Sequence, residues 1–304
     1  MFSKKISLNV ALLIVLIACV TTYFITTLLN RKVTEESAPV FTSAVVNTCK
    51  PSTIRLNGYS FIKPILFGQD LCEAEKLQPV KSELESLINT YKAQGLITTA
   101  AVYLRAFNSG DWMSINENTQ FNPGSLLKVP ELITFMKMRE KDPGLFEKTV
   151  TYAQPLVLKK QAYFISKSIE VGKTYTIKEL LFYMIAYSDN NATMLLNQRM
   201  DLNIFKKVFT DLGLPNPDMS KNDIPITAKD YSLFMRILYN ATYLNIEDSE
   251  YCTELLTHSD FVKGLLSGIP SELKVAHKFG EAFDGQNAHL GESGIVYINN
   301  SAYL

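Results

Sequence analysis

Three short motifs in a fixed order constrain this chain more than any other feature of its sequence. Ser125 and Lys128 form an S-x-x-K motif, Ser188 begins an S-D-N motif, and Lys278 begins a K-x-G motif. A lysine one helical turn after a serine lies on the same helix face, where it is placed to take the proton of the serine hydroxyl. The set predicts a nucleophilic serine site assembled from distant parts of one domain.

The S-x-x-K pattern also begins at Ser60 and Ser271, so the neighbouring residues must decide which serine is the nucleophile. Only Ser125 follows an Asn-Pro-Gly turn and opens an apolar run, residues 126–138, that is typical of a helix. We therefore predict Ser125 as the nucleophile. The alternative is an ordinary helix-capping serine.

The order of the motifs resembles the S-x-x-K, S-D-N and K-T-G set of class A β-lactamases and penicillin-binding serine hydrolases. The resemblance implies a two-lobed α/β (α+β) fold, in which an antiparallel sheet flanked by helices lies beside an all-helical lobe. The local patterns agree with this expectation. Residues 80–91 have helical spacing, 97–107 and 112–115 have strand patterns, and Thr176 with Glu179 forms a capping box before an apolar helix. Further helices are expected at residues 192–200, 204–212 and 228–240, and strands at 274–279 and 294–298.

The resemblance also implies a role for each motif residue. The catalytic side chains would be Ser125, Lys128 and Ser188, with Ser188 relaying a proton to the leaving nitrogen. The substrate-binding residues would be Asn190, Lys278 and Gly280, and the oxyanion hole would use the backbone N–H groups of Ser125 and Glu281. Asp189 is expected to form structural hydrogen bonds. For Lys128 to act as a base near neutral pH its pKa must fall, through burial or through a second cation such as Lys278.

The sequence departs from the family in its acidic and hydroxyl residues. No glutamate occurs between Glu179 and Glu247, whereas class A enzymes place a water-activating glutamate there. Asp218 and Asp223 are the candidate substitutes. Slow deacylation is therefore expected. Phe279 takes the place of the K-T-G threonine and Glu281 adds a negative side chain, and both changes weaken the assignment of a penicillin-like substrate.

The end of the chain is another departure. Residues 294–298 and 301–304 are expected to be strands joined by an Asn299-Asn300 turn, but the family continues into a final helix. We therefore expect a truncated product. A chain complete at Leu304 would be expected to have an open seam in its sheet.

The N-terminus predicts membrane attachment. Residues 8–29 form a segment without charged side chains. A helix of this length can cross the roughly 30 Å hydrocarbon layer of a membrane. An uncleaved anchor is favoured over lipidation at Cys19 in a lipobox-like segment, and a cleaved signal peptide is the third alternative. The expected organisation is an anchor (1–30), a linker and cap segment (31–76) and a catalytic domain (77–304). The domain would lie outside the cytoplasmic membrane of a bacterium.

Composition limits the remaining possibilities. The 30 basic and 30 acidic side chains balance, which gives no indication of nucleic-acid binding, and three histidines without a ligand motif predict neither a metal nor a cofactor. Cys49 and Cys72 are expected to form a disulfide in an oxidising compartment, with unpaired thiols as the alternative.

Three functions remain open. The first is a class A β-lactamase-like serine hydrolase that forms an acyl-enzyme at Ser125 with β-lactams and deacylates slowly. The second is a D,D-carboxypeptidase-like enzyme that acts on peptidoglycan stem peptides. The third is a catalytically poor relative that binds the cell wall. The oligomeric state is not predicted.

Overall fold

The fold consists of a sheet and a group of helices in residues 51–69, 71–156, 164–220, 224–284 and 287–304, the parts of the chain that this computed structural model describes. The strands are β1 (Ser52–Arg55), β2 (Ile65–Gln69), β3 (Val102–Arg105), β4 (Trp112–Ile115), β5 (Gln120–Phe121), β6 (Thr149–Thr151), β7 (Thr174–Thr176), β8 (Ile226–Thr227), β9 (Lys274–Asp284), β10 (Asn287–Ile298) and β11 (Ser301–Tyr303). The helices are α1 (Gln78–Ala93), α2 (Lys128–Arg139), α3 (Ile177–Ala186), α4 (Asn190–Asn197), α5 (Leu202–Asp211), α6 (Ala228–Tyr239) and α7 (Ile246–Leu256).

The main sheet is antiparallel and joins both ends of the catalytic domain. Strand β10 pairs with β9 on one side and with β11 on the other, and β3 pairs with β4. Backbone hydrogen bonds of 2.8 Å in both directions between Arg105 and Leu304 connect β11 to β3. The described strands therefore run in the order β9-β10-β11-β3-β4. The open seam expected in this sheet is wrong, because β11 fills it. The expected truncation stays a prediction.

Helix α3 begins at the capping box that the sequence predicted. The Thr176 side chain accepts from the Glu179 backbone, and the Glu179 carboxylate accepts from the Thr176 backbone, so the predicted capping box opens α3. Both α2 and α3 are buried along most of their length and form the centre of the hydrophobic core. Buried helices of this kind are stabilised chiefly by the apolar area that they remove from water.

Helix α7 was not predicted, and strand β3 is shorter than predicted. In α7 the buried positions include Asp248, Ser249 and Thr253, so the helix has no simple apolar stripe that periodicity could detect. Asp248 accepts from Arg139 of α2, which explains how a polar helix packs in the core. Strand β3 spans only four residues of the predicted 97–107, whereas β4 has the predicted bounds.

The cap segment is an ordered hairpin of β1 and β2 that packs on helix α6. Leu66 and Phe67 of β2 are buried in the main core. Arg236 of α6 donates to the Gly68 carbonyl at 2.8 Å and lies 4.2 Å from the centre of the Phe67 ring. This contact attaches the hairpin to the helical lobe.

Among the described residues, no helix has the length and apolar character needed to cross a membrane. The anchor predicted at residues 8–29, including Cys19, lies outside these residues.

The hairpin contact predicts a large stability difference between two phenylalanines of the cap. Phe67 is 4% exposed and Phe61 is 98% exposed. We expect Phe67→Ala to lower the free energy of unfolding by about 3 to 4 kcal/mol, because it leaves a cavity and removes a ring under Arg236. Phe61→Ala, the matched control, should change it by less than about 0.5 kcal/mol. Urea unfolding of both variants measures this, and equal losses would contradict the docking of the hairpin.

Candidate active site

The nucleophile turn is held in place by its own backbone and by helix α6. Asn122 accepts from the Gly124 N–H at 3.1 Å, and the short turn Gly124–Leu127 leads directly into α2. The buried Tyr231 hydroxyl of α6 donates to the Leu126 carbonyl at 2.9 Å. Ser125 is half-buried on this turn, at the start of the helix, as predicted. The anchoring role of Tyr231 left no signal in the sequence.

The S-D-N motif forms a strained turn between α3 and α4. Ser188 has a φ of 53°, a left-handed conformation that costs a non-glycine residue about 1 to 3 kcal/mol and persists only where surrounding contacts enforce it. Asp189 supplies such contacts by accepting from Ser168, from the Ile169 backbone and from the Asn191 backbone at 2.9 to 3.0 Å. Its predicted structural role is confirmed, and this strain suits a position where geometry matters for function.

Lys128 points its amine into this turn. The Lys128 Nζ donates to the Ser188 carbonyl at 2.7 Å, to Ser188 Oγ at 3.1 Å and to Asn190 Oδ1 at 2.8 Å. Burial lowers the pKa of Lys128 to about 8, although the carboxylates of Glu131, Asp189 and Glu281 act in the opposite direction. A lysine with this pKa is neutral in a useful fraction of molecules near neutral pH, so it can act as a base.

Lys278 reaches the same serine from strand β9. Its Nζ donates to Ser188 Oγ at 2.9 Å and to the Phe279 carbonyl at 2.9 Å. Burial, helped by the charge of Lys128, holds the pKa of Lys278 well below its usual value. The structure thus brings the two predicted lysines and Ser188 together. Because Lys278 is fully buried, its predicted contact with a substrate carboxylate stays a prediction.

The nucleophile turn and strand β9 touch through two glycines. A Cβ at Gly280 would lie 2.2 Å from the Pro123 carbonyl oxygen and 2.7 Å from the Leu126 nitrogen. A Cβ at Gly124, whose φ is +50°, would lie 2.2 Å from the Glu281 carbonyl oxygen. Only glycine permits this backbone approach. It places the segments that carry the two predicted oxyanion donors, Ser125 and Glu281, side by side.

A buried aromatic cluster surrounds the changed residue of the third motif. The Phe279 ring stacks on Phe261 with a centroid distance of 4.0 Å and meets the edge of Phe164 at 4.8 Å. The Lys278 Nζ lies 4.2 Å from the centre of the Phe279 ring. The ring therefore fills space beside the lysine with apolar surface and offers no hydroxyl there.

Glu131 is a part of the site that the sequence analysis missed. It lies on α2 one turn after Lys128 and is buried, with Oε1 accepting from Asn197 at 3.4 Å. Burial raises the pKa of Glu131 to about 7, against the effect of the Lys128 charge. An acidic residue at this spacing within an apolar helix was a signal that the sequence offered.

The chain matches one family model over most of its length. A model of the beta-lactamase enzyme family matches residues 79–304. The chain belongs to this family. It is therefore a serine hydrolase of the β-lactamase type. No curated protein sequence matches it.

Solved structures share the fold of this family member at low sequence identity. A class A β-lactamase from Mycobacterium abscessus is 20% identical, with 67% of this chain and 82% of that chain covered and a TM-score of 0.57. A β-lactamase from Chitinophaga pinensis is 17% identical, with 72% and 87% covered and a TM-score of 0.60. A mutant of PBP-A, in an acyl-enzyme complex with penicillin G, is 18% identical, with 75% and 85% covered and a TM-score of 0.59. These similarities support the predicted class A fold.

The structure describes only some of the acidic residues and cysteines that were predicted to matter in this beta-lactamase family member. Asp218 is exposed, and its carboxylate accepts from the Ser220 backbone and hydroxyl. Asp223, the other candidate for the absent glutamate, lies outside the described residues. Cys72 is disulfide-bonded and Cys252 is free and buried. Because Cys49 also lies outside the described residues, its pairing with Cys72 stays a prediction.

The described residues outside the motifs were considered as metal ligands and as cavity walls. In the described part of the chain no three His, Cys, Asp or Glu residues are arranged to hold a metal ion. Cavities of about 300 and 480 Å³ lie beside Tyr251 and beside Trp112, and no motif side chain lines either of them. The hydrogen bonds among Lys128, Ser188 and Lys278 therefore define this site.

The glycine contact predicts a position-specific effect of one methyl group. We expect Gly280→Ala to lower the free energy of unfolding by at least about 2 kcal/mol, because the new methyl collides with backbone atoms of the nucleophile turn. Gly268→Ala is the matched control, since a Cβ there meets no atom within 4 Å. Urea unfolding measures both. A Gly280→Ala protein as stable as the Gly268→Ala protein would contradict the close approach.

Proposed function

We propose that this protein is acylated by β-lactams at Ser125 and releases the product slowly. The observation that carries the proposal is the position of Ser188 Oγ, which accepts from both Lys128 at 3.1 Å and Lys278 at 2.9 Å. Ser125 lies one helical turn before Lys128, whose pKa is lowered, and the Ser188 hydroxyl links Lys128 to Lys278. Acyl transfer needs such a base and such a proton carrier.

In the proposed acylation, neutral Lys128 takes the proton of the Ser125 hydroxyl while Ser125 Oγ attacks the lactam carbonyl carbon. The backbone N–H groups of Ser125 and Glu281 would donate to the oxyanion, a contact whose loss from comparable enzymes costs about two to three powers of ten in rate. Ser188 then passes the proton from Lys128 to the lactam nitrogen as the C–N bond breaks. Lys278, held against Ser188, keeps its hydroxyl oriented for this transfer.

Slow deacylation is supported by what surrounds the site. No glutamate occurs between Glu179 and Glu247, and the exposed carboxylate of Asp218 is engaged by Ser220. A comparison supports acylation, since a mutant of PBP-A, which has a similar fold, forms an acyl-enzyme complex with penicillin G. Acyl transfer from a peptidoglycan stem peptide is the second candidate, favoured by the same lack of a glutamate between Glu179 and Glu247.

We further propose that residues 8–29 anchor the protein in a bacterial cytoplasmic membrane, with the catalytic domain outside. The uncharged length of this segment supports a membrane-spanning helix. The disulfide at Cys72 supports an oxidising compartment.

The acylation proposal predicts a covalent adduct that depends on a single serine. Intact-mass measurement of the full-length protein mixed with benzylpenicillin should show one added penicillin mass, since ring opening releases no atoms. Ser125→Ala should abolish the adduct. Ser271→Ala, at another S-x-x-K serine and exposed, should leave it unchanged.

The time course distinguishes the alternatives. An adduct that lasts for hours supports slow deacylation, and release of a hydrolysed penicillin within seconds would overturn that part of the proposal. A folded parent protein that gains no mass, or a Ser125→Ala variant that still does, would overturn acylation at Ser125.

A further inference from the structure

Glu131 is a buried acid that the acylation scheme does not use. It is 8% exposed, and its Oε2 has no hydrogen-bond partner within the part of the chain that the structure describes. Its other oxygen accepts one long bond, 3.4 Å, from Asn197 of α4. A carboxyl group buried with so few partners is costly for a fold. A leucine or methionine would fill this position in an apolar helix without that cost.

The charged group that acts on Glu131 is the catalytic base candidate itself. Glu131 lies three residues after Lys128 on α2, so the two side chains leave the same region of the helix. The Lys128 charge lowers the pKa of Glu131, and the Glu131 charge is the first among those that raise the pKa of Lys128. The two groups therefore titrate together.

Other charges face Lys128 from the elements packed around it. Asp189 acts from the turn between α3 and α4, and Glu281 acts from β9. Lys278 of β9 is the opposing cation, bound to the same Ser188 hydroxyl. Glu131 differs from Asp189 and Lys278 because, among the described residues, the one hydrogen bond of its carboxylate joins it to Asn197 of α4.

We propose that Glu131 is a positioning residue that sets the pH at which Lys128 becomes a free base. This inference rests on the proposed acylation of Ser125. An ionised Glu131 stabilises the Lys128 ammonium, which makes Lys128 a stronger base but delays its loss of a proton. When the Ser125 O–H bond breaks and a new N–H bond forms on Lys128, the Glu131 carboxylate offsets the charge that appears.

The proposal predicts a crossing of two pH profiles. Glu131→Gln removes the charge and keeps the shape, so the pKa of Lys128 should fall and the rising limb of the acylation rate should move about one unit to lower pH. Between about pH 7 and this rising limb, where Glu131 of the parent is ionised, the neutral fraction of Lys128 should rise by up to roughly tenfold. At lower pH the two proteins should converge, because Glu131 of the parent is then protonated. Above it the variant should be slower, because a weaker base transfers the proton less readily. A merely structural defect would slow acylation at every pH without moving the limb.

The test measures pseudo-first-order acylation of the full-length protein by a fluorescent penicillin from pH 5 to 9.5. Glu131→Asp, which keeps the charge, should retain a limb near that of the parent. Glu147→Gln, at an exposed side chain, controls for the loss of a remote charge and should match the parent. The thermal midpoint of each variant at each pH confirms that the measured protein is folded. An unmoved limb in Glu131→Gln would overturn the proposal.

A second measurement separates this proposal from the acylation proposal. Protein labelled with ¹³C at lysine Cε gives a resonance that disappears in Lys128→Met, and its titration reports the protonation of Lys128 without any reaction. Its midpoint should be lower in Glu131→Gln than in the parent, and an equal or higher midpoint would overturn the role of Glu131. If the midpoint falls but no penicillin adduct forms, the acylation proposal fails while the assignment of Glu131 stands.

Discussion

Two buried lysine amines share one serine hydroxyl, and the rest of the site depends on that arrangement. Lys128 and Lys278 both donate to Ser188 Oγ, which brings two like charges together in a medium of low polarity. Burial lowers the pKa of both lysines, and the charge of Lys128 lowers the pKa of Lys278 further. The carboxylates around them offset only part of this cost. The result is a lysine that can lose a proton near neutral pH, as activation of a serine requires.

The surrounding fold keeps the shared hydroxyl in place at a cost in backbone strain. Two residues after helix α3 ends, Ser188 has a left-handed conformation, and Asp189 fixes that turn through hydrogen bonds to the segment around Ser168. From the other side, Gly280 lets β9 approach the nucleophile turn closely enough that no side chain could fit between them. The same strand carries Phe279 in a buried aromatic cluster. The strand that approaches the nucleophile turn therefore places apolar surface beside Lys278.

The parts of this protein that the sequence predicted are those with local signals. The capping box at Thr176, the turn before Ser125 and the β4 strand each result from neighbouring residues, and the structure has all three. Contacts between distant segments could not be predicted in this way. The Tyr231 hydroxyl on the Leu126 carbonyl, the pairing of β11 with β3 and the polar core contact of α7 all depend on tertiary packing. Glu131 had a visible spacing from Lys128, but its burial became evident only from the structure.

The measurement that tests this account most directly is a crystal structure of the full-length protein soaked in benzylpenicillin. The account predicts continuous electron density from Ser125 Oγ to the opened lactam. It also places the acyl oxygen between the N–H groups of Ser125 and Glu281, and Ser188 Oγ still within hydrogen-bond distance of both lysines. Density attached to another residue, or an acyl-enzyme in which either lysine has left Ser188, would contradict the shared hydroxyl as the basis of the site.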